Sequence, residues 1–435
     1  MSVGLLVTGK MGGGKRGAGP SVGAAAAARR LCDWFDRKHG DLLVTPTVVY
    51  SGDDSSRVEV DLYAGTEPVV FEFADDGAVT VEANTGWGGP GFHKWLCELI
   101  DAVGAQLGIA WAREEEADET GYFIHRDWNK LSESILNWAT ALCDMIAKET
   151  AKSRGEIQLR IGMPLGFGSN RSGGVETSLG VRAPKWFAAA ARDRSMVTEL
   201  IGWMTPEADA DCWRDRALAA MWLHVRWCPP RTETEVALNS YVLRCLQAAF
   251  DANDESRLPW GAWKELAELN ETPIPARAVA LAEQHASAPE VGYRRGEITI
   301  VPNTGWSMSL PGSMSEDVDP EGDRLWFDEV HTIRFSSFGV GEEHGQTPSA
   351  AALSKELSPP AGVEHASWSE HKVFGRMGVG ECEEEDGETC TNCQAVIAAH
   401  GQFAVCTVTG NDRSITEFAE RVCRSIRGPT GDSGQ

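Results

Sequence analysis

Four consecutive segments between residues 42 and 84 alternate apolar and polar side chains with a period of two. This alternation is typical of strands in a sheet that has one buried and one solvated face. The turn-forming residues GDD (52–54) and DDG (75–77) separate some of these segments. We therefore expect an antiparallel meander. The predicted strands are LLVTPTVVY (42–50), SRVEVDLYA (56–64), EPVVFEFA (67–74) and GAVTVEAN (77–84).

Helical spacing flanks the predicted strands. An alanine-rich stretch, Ala24–Lys38, precedes them, and residues 92–111 and 127–148 follow them with apolar side chains three and four positions apart. Asp127 is typical of a helix N-cap. Two helices packed on one face of four strands predict an α+β domain over residues 24–150.

Two further units are predicted beyond this domain, so the fold class is α+β with antiparallel sheets and packed helices in three units. Residues 155–285 are mainly helical, and residues 290–428 return to strand-like alternation before a final helix. The glycine-rich residues 1–23 are predicted to be a flexible leader, and residues 429–435 a disordered tail. The helices predicted in the middle unit lie at about 186–203, 208–226, 232–251 and 260–269.

The net charge limits the kinds of partner that we expect, and the number of cysteines indicates the cellular compartment. Acidic residues outnumber basic ones 64 to 40, which gives a formal net charge of −24. No dense basic stripe is present, so we expect neither nucleic acid nor a membrane surface as partner. The start of the sequence does not have the pattern of a secretory signal. Because the number of cysteines, 11, is odd, we predict reduced thiols and a cytoplasmic location.

The N-terminal segment GKMGGGKR (9–16) has the spacing G-x-x-x-x-G-K. It resembles the phosphate-binding loop of P-loop NTPases. The resemblance implies ATP or GTP binding through Gly9, Gly14 and Lys15, because backbone amides cradle the phosphates and the lysine reaches them. Arg16, however, stands where a serine or threonine should hold magnesium, and Pro20 lies where a helix should begin. The sequence therefore favours a flexible leader over a nucleotide site.

Four cysteines of the last unit have the spacing C-x7-C-x2-C-x12-C. Zinc binds four thiolate or imidazole ligands in a tetrahedron, and C-x2-C is a common half-site. Residues 394–399 and 403–408 also have the pattern of a strand hairpin, which would place the last cysteine on a sheet face without a metal. The metal-free interpretation is favoured, and no cofactor is expected. The candidate zinc ligands are Cys382, Cys390, Cys393 and Cys406.

The last unit opens with a strand containing GWSMSLPG (305–312), continues with strand pairs and ends in a helix that closes at RSI (424–426). This pattern resembles the PsbP-like fold over about a third of the chain. That fold is typically a noncatalytic binding or assembly module, so the resemblance implies recognition and no catalytic residue. The middle unit and the element GGPGFH (88–93) resemble segments of uncharacterised bacterial proteins, which implies no activity.

No complete catalytic constellation is present, because the chain lacks the HExxH and GxSxG motifs. The chain has 16 tryptophans, and tryptophan often anchors protein interfaces. Trp87, in a glycine-rich turn, and nearby His93 are the candidate partner-binding residues.

We therefore predict a noncatalytic, cytoplasmic bacterial protein that binds a partner protein, a basic one because this chain is acidic. It would act as an adaptor, an inhibitor or a component of an immunity or defence system. Two alternatives remain open. One is a nucleotide-binding enzyme or switch that uses Lys15, and the other is a substrate that a partner protease cleaves in the polar loop 341–362.

Overall fold

The computed structural model describes most of the chain, and its contacts divide it into two compact units, Met1–Pro164 with Ser172–Gly292 and Leu165–Arg171 with Tyr293–Gln435. The described residues are 3–12, 23–45, 47–52, 55–114, 117–152, 159–164, 166–169, 174–252, 257–285, 290–303, 305–319, 323–340, 347–357, 362–383, 389–411 and 414–429. Antiparallel sheets and packed helices confirm the predicted α+β class.

The elements are numbered in chain order. The strands are β1 (Gly4–Met11), β2 (Val48–Ser51), β3 (Ser55–Val60), β4 (Val69–Ala74), β5 (Ala78–Asn84), β6 (Ile109–Trp111), β7 (Arg160–Ile161), β8 (Gly168–Ser169), β9 (Val175–Thr177), β10 (Gly180–Arg182), β11 (Glu297–Asn303), β12 (Trp306–Pro311), β13 (Ser315–Val318), β14 (Arg324–Phe327), β15 (His331–Gly339), β16 (Val363–Glu370), β17 (Val373–Glu383), β18 (Thr389–Ala399) and β19 (Gln402–Gly410). The helices are α1 (Ala24–His39), α2 (Gly89–Leu107), α3 (Tyr122–His125), α4 (Trp128–Lys152), α5 (Pro184–Ala190), α6 (Arg194–Val197), α7 (Ala210–Leu223), α8 (Glu233–Asp251), α9 (Trp260–Leu269), α10 (Ala276–Gln284), α11 (Ala350–Glu356) and α12 (Ile415–Ser425). Within the described ranges, none of these helices combines the length and the apolar character needed to cross a bilayer.

The first unit is built on a six-stranded antiparallel sheet with the order β2-β3-β4-β5-β1-β6. Strands β2 to β5 pair in sequence order, so the predicted meander is confirmed. Alternate residues such as Val58, Phe71 and Val81 are buried, and α1 packs against the sheet on this side. The other face is open, since Leu6 on β1 is 52% exposed.

Residues 4–11 belong to the segment that the sequence predicts as a flexible leader, yet they form β1 in the interior of the sheet. Strand β1 pairs with β5 on one side and with β6 on the other. Leu5 and Val7 are buried, whereas Leu6 and Thr8 are exposed. The alternation of a half-buried strand is therefore present, but it is short and ends in a glycine-rich run that favours the interpretation as a leader.

The helical region after residue 174 belongs to the same compact unit, whereas the sequence predicts a separate domain. The buried Arg216 of α7 provides a physical reason. Its Nη2 donates to the backbone oxygens of Leu62, at 2.8 Å, and Leu42, at 3.3 Å, and its Nε donates to Tyr241 Oη at 3.1 Å. These backbone oxygens lie more than 150 residues from Arg216 in the sequence. The hydrophobic pattern does not indicate contacts of a buried charge, so it could not predict that the two regions form one unit.

The second unit contains the seven-stranded antiparallel sheet β13-β14-β15-β19-β18-β17-β16 and a smaller sheet β12-β11-β8. Helix α12 packs against β17, β18 and β19. Ile397, Cys406 and Val408 are among the buried residues of these strands. The segment 341–362, predicted as a polar loop, contains α11, which Ser349 caps by accepting from the Ala352 amide. Residues 341–346 and 358–361 of that segment lie outside the described residues.

Candidate functional site

His93 lies in the core of the first unit, on α2, and has no exposed surface. Its Nδ1 is 2.8 Å from Thr85 Oγ1, and its Nε2 is 3.1 Å from Asp118 Oδ2. The Thr85 hydroxyl also lies 3.3 Å from the backbone oxygen of Val3. Both ring nitrogens thus have polar partners inside the core, so the orientation of the imidazole is fixed.

The carboxylate of Asp118 is held by several donors. Its Oδ1 accepts from the amide and the hydroxyl of Thr120, both at 2.8 Å, and its Oδ2 accepts from the Phe123 amide at 2.7 Å. Burial by itself would raise the pKa of Asp118. The hydrogen bond and the charge interaction with His93, together with the other donors, outweigh this and hold the pKa well below its usual range. The carboxylate is therefore ionised at neutral pH.

Cys97 completes this cluster, because it follows His93 by one helical turn on α2. One ligand atom from each of His93, Cys97 and Asp118 lies within 4.8 Å of the others, and all three residues are buried. Burial, followed by the charge of Asp118, raises the pKa of the Cys97 thiol. The three side chains lie close enough to hold a metal ion. In the part of the chain that the structure describes, no other group of three histidine, cysteine or acidic side chains lies this close together.

The four cysteines predicted as zinc ligands are not brought together. Cys382 and Cys390 face each other across β17 and β18 and form a disulfide, so the prediction of reduced thiols does not hold for this pair. Cys390 and Cys393 are three residues apart on one strand, and successive side chains of a strand point to opposite faces. A C-x2-C zinc half-site therefore cannot form here, while Cys393 and Cys406 are buried.

The residues of the predicted nucleotide loop are only partly described. Gly9 lies within β1, where a Cβ would come within 2.5 Å of the Trp111 ring and 2.8 Å of the Ile109 side chain. Close packing of the neighbouring strand therefore accounts for glycine at this position. Gly14 and Lys15 lie outside the described residues, so nucleotide binding stays a prediction.

The two predicted partner-binding residues are packed into the first unit. Trp87 is only partly exposed, and its indole packs edge-on against Trp138, with ring centroids 5.2 Å apart. His93 is fully buried and cannot touch a partner in this structure. The glycine-rich first turn of α2 allows close packing, since a Cβ on Gly91 would lie 2.1 Å from the Trp203 ring.

Exposed apolar side chains line the edge strand β2. Val48, Val49 and Tyr50 are 43%, 40% and 53% exposed. One side of β2 pairs with β3, and in the described structure its other side pairs with no strand. Edge strands usually carry charges, proline or a bulge that prevents further pairing. Strand β2 is only four residues long, but it has no charge, proline or bulge, so it is a candidate for pairing with another chain. The alternation over residues 42–50 predicts a strand here, but a local pattern does not indicate that the strand ends the sheet.

A cleft of about 610 Å³ crosses the open face of the same sheet. Leu6 and Val70 contribute apolar surface to it. Among the described residues that line it, Arg57 is the only basic one, and it is paired with Glu59 at 2.6 Å. The same described lining contains four glutamates, which gives it a formal charge of −3. The lining glutamates are Glu59, Glu67, Glu82 and Glu119.

A second cleft, of about 700 Å³, lies in the helical region of the first unit. Arg182, Arg214 and Asp215 line it, and Arg214 Nε donates to Asp215 Oδ1 at 2.8 Å. Burial, only partly offset by Arg214, raises the pKa of Asp215 to about 6. The charges of this cleft are largely engaged with one another, since Arg182 also contacts Glu199.

No family model matches this chain, and no curated protein matches it. A solved structure from Bacteroides thetaiotaomicron is similar over 30% of this chain, with 18% sequence identity and a TM-score of 0.24. The match covers 47% of that chain, about half of its length. A likeness at this level carries no statement about the fold or the function.

Proposed function

We propose that this chain is a noncatalytic protein-binding module that captures an extended segment of a basic partner by adding it as a strand to β2. The exposed, uncharged edge formed by Val48, Val49 and Tyr50 carries this proposal. In strand addition, main-chain hydrogen bonds supply affinity and alternate side chains supply specificity. An adaptor, an inhibitor or an immunity protein would use such an edge without chemistry of its own.

The charge of the open face supports a basic partner. The cleft beside the meander carries four glutamates and one arginine, and the chain as a whole has a formal net charge of −24. Glu59 on β3 lies directly opposite Val48 on β2, so acidic side chains begin one strand away from the edge. Lysine or arginine side chains of the partner that cross this face would meet complementary charge.

The test uses photo-crosslinking of the full chain in its native lysate. Tyr50 is replaced by p-benzoylphenylalanine, and the crosslinked peptide is identified by mass spectrometry. We expect a lysine- or arginine-rich segment that no longer crosslinks when Val49→Lys is added, because a lysine guards the edge against pairing. The matched control is Val318→Lys, which changes a valine that is 53% exposed on β13, an edge strand of the seven-stranded sheet.

Two results would count against the proposal. One is crosslinking at position 50 that Val49→Lys leaves unchanged. The other is the same set of crosslinked peptides from a probe placed at Phe338, which is 46% exposed and lies on β15 of the second unit. A segment without basic residues would contradict the proposed charge of the partner but not the use of the edge.

We also propose the cytoplasm as the compartment. Apart from Cys382 and Cys390, the nine remaining cysteines of the described chain form no disulfide. Disulfides are uncommon in the cytoplasm, so the Cys382–Cys390 disulfide is the observation that speaks against this compartment. Rapid alkylation of cells, followed by mass spectrometry of the two cysteines, would test this, and a fully oxidised pair would contradict it.

A further inference from the structure

We propose that His93, Cys97 and Asp118 form a structural zinc site that ties α2 to the segment following β6. The three residues offer a nitrogen, a sulfur and an oxygen donor, all of which zinc accepts. They lie in the core of the first unit and take no part in the edge or the cleft proposed to bind a partner. The site therefore stands independently of the proposed function.

The distances suit a tetrahedral ion. Zinc–ligand bonds of about 2.0–2.3 Å place neighbouring donors roughly 3.3–3.8 Å apart. The Nε2 of His93 and the Oδ2 of Asp118 are 3.1 Å apart, and all three ligand atoms lie within 4.8 Å of one another. The hydroxyl oxygen of Thr120 lies 3.4 Å from the same Nε2 and borders the fourth position. Closing the site requires the ligands to approach one another by about 1 Å.

The surrounding groups already orient the ligands. A zinc-bound histidine usually donates its other ring N–H to a polar group. Here Nδ1 of His93 lies 2.8 Å from Thr85 Oγ1, which in turn lies 3.3 Å from the Val3 oxygen. With zinc on Nε2, Nδ1 donates to the hydroxyl and the hydroxyl donates to the carbonyl. The carboxylate is held in the same way, through Oδ1, by the two donors of Thr120.

The charges balance when the ion binds. Zinc displaces the proton of the Cys97 thiol, which leaves to solvent, and a thiolate–zinc bond forms. The proton that Nε2 of His93 directs at Asp118 Oδ2 passes to Nδ1, so that Nε2 is free to bind the ion. The thiolate and the Asp118 carboxylate then carry two negative charges against the two positive charges of zinc, and His93 binds as a neutral imidazole. All three ligands are at least 98% buried, and a neutral complex avoids placing an uncompensated charge in the core.

The experiment measures zinc in the full-length protein and then replaces it with cobalt. We expect about one zinc per purified chain by elemental analysis. The cobalt-loaded protein should show a thiolate-to-cobalt charge-transfer band and intense tetrahedral visible bands. Cys97→Ser should lose the bound metal and the charge-transfer band. Cys143→Ser should keep both, because Cys143 is equally buried but lies outside this cluster.

Two results would overturn the proposal. The first is wild-type protein that neither contains stoichiometric zinc nor develops a thiolate band when cobalt is added. This readout needs no variant, so it decides the matter even if Cys97→Ser fails to fold. The second is a folded Cys97→Ser variant that retains the metal and the band, which would place the ion elsewhere, with Cys393 the next position to change.

Discussion

The cores of both units are mainly apolar, but the first unit also buries more charged and polar side chains than the second. In the first unit, buried charged and polar side chains such as His93, Asp118 and Arg216 bind groups far away in sequence. In the second, alternating apolar residues of long strands fill most of the core, as Ile397 and Val408 do. The first core thus depends on particular polar partners in addition to apolar volume, and the second mainly on apolar volume. Substitutions should therefore cost stability for different reasons in the two units.

The largest effect is expected at Arg216, which joins the helical region to the six-stranded sheet. Arg216→Ala leaves the oxygens of Leu62 and Tyr241 without their donor. It also removes a buried side chain, so we expect a loss of about 3–5 kcal/mol in the free energy of unfolding. Urea unfolding, with hydrogen exchange of α7 as the local probe, measures it. Arg216→Met should recover part of the loss by refilling the volume, and a cost below about 1 kcal/mol for the alanine variant would contradict this account.

A smaller loss is expected in the core of the second unit. Ile397 on β18 is fully buried, and Ile397→Ala should cost about 2–4 kcal/mol through a lost apolar contact and a cavity. Ile397→Val should cost only about 1 kcal/mol. Hydrogen exchange of β18 during urea unfolding gives the values. If alanine and valine cost the same, volume is not what stabilises this core.

The stability of the first unit is expected to depend on pH through Asp61. Burial, partly offset by hydrogen bonds and by the charge of Arg216, raises the pKa of Asp61 to about 7. Its Oδ1 is buried without a hydrogen-bond partner. Since the folded state holds this proton more tightly than the unfolded state, the stability contributed by Asp61 falls as pH rises from about 4 to about 7.

Asp61→Asn removes that titration. The difference in unfolding free energy between wild type and variant should therefore change by about 3 kcal/mol across this window. We expect wild type to lose stability relative to the variant as pH rises. Urea unfolding at the two ends of the window measures this difference. Parallel pH profiles would show that folding does not raise the pKa of Asp61.

The smallest effect on stability is expected at the edge of the sheet. Val49→Lys changes a side chain that is 40% exposed, so the free energy of unfolding should stay within about 0.5 kcal/mol of wild type. The same variant should abolish partner crosslinking, which would separate binding from folding. Thermal melts of Val49→Lys and Val318→Lys provide the comparison. A large destabilisation by Val49→Lys alone would mean that β2 is packed more tightly than its exposure indicates.

The periodicity of the sequence predicts individual strands well. It predicts poorly which distant segments pack together. The meander β2 to β5 follows from alternation, because each strand pairs with its neighbour in sequence. The union of residues 24–150 with the helical region was not predictable, since it depends on Arg216 reaching Leu62 across the chain. The C-x2-C spacing suggested a metal half-site, but on a strand its two thiols point to opposite faces.

The candidate site was only partly visible in the sequence. His93 was singled out, but as a partner contact, because burial cannot be read from a glycine-rich context. The spacing of His93 and Cys97 by one helical turn was the available signal for a shared site. Asp118 belongs to an acid-rich segment that resembles a solvated loop. Only the fold brings this carboxylate to the helix.

The position of β1 has a consequence for the order of events during synthesis. This strand leaves the ribosome before either of its neighbours exists, because β5 and β6 follow about 70 and 100 residues later. The meander can form first by pairing of consecutive strands, and β1 can join only when the chain beyond α2 has emerged. Until then β1 remains unpaired outside the ribosome. During this interval its apolar side chains are accessible to a chaperone.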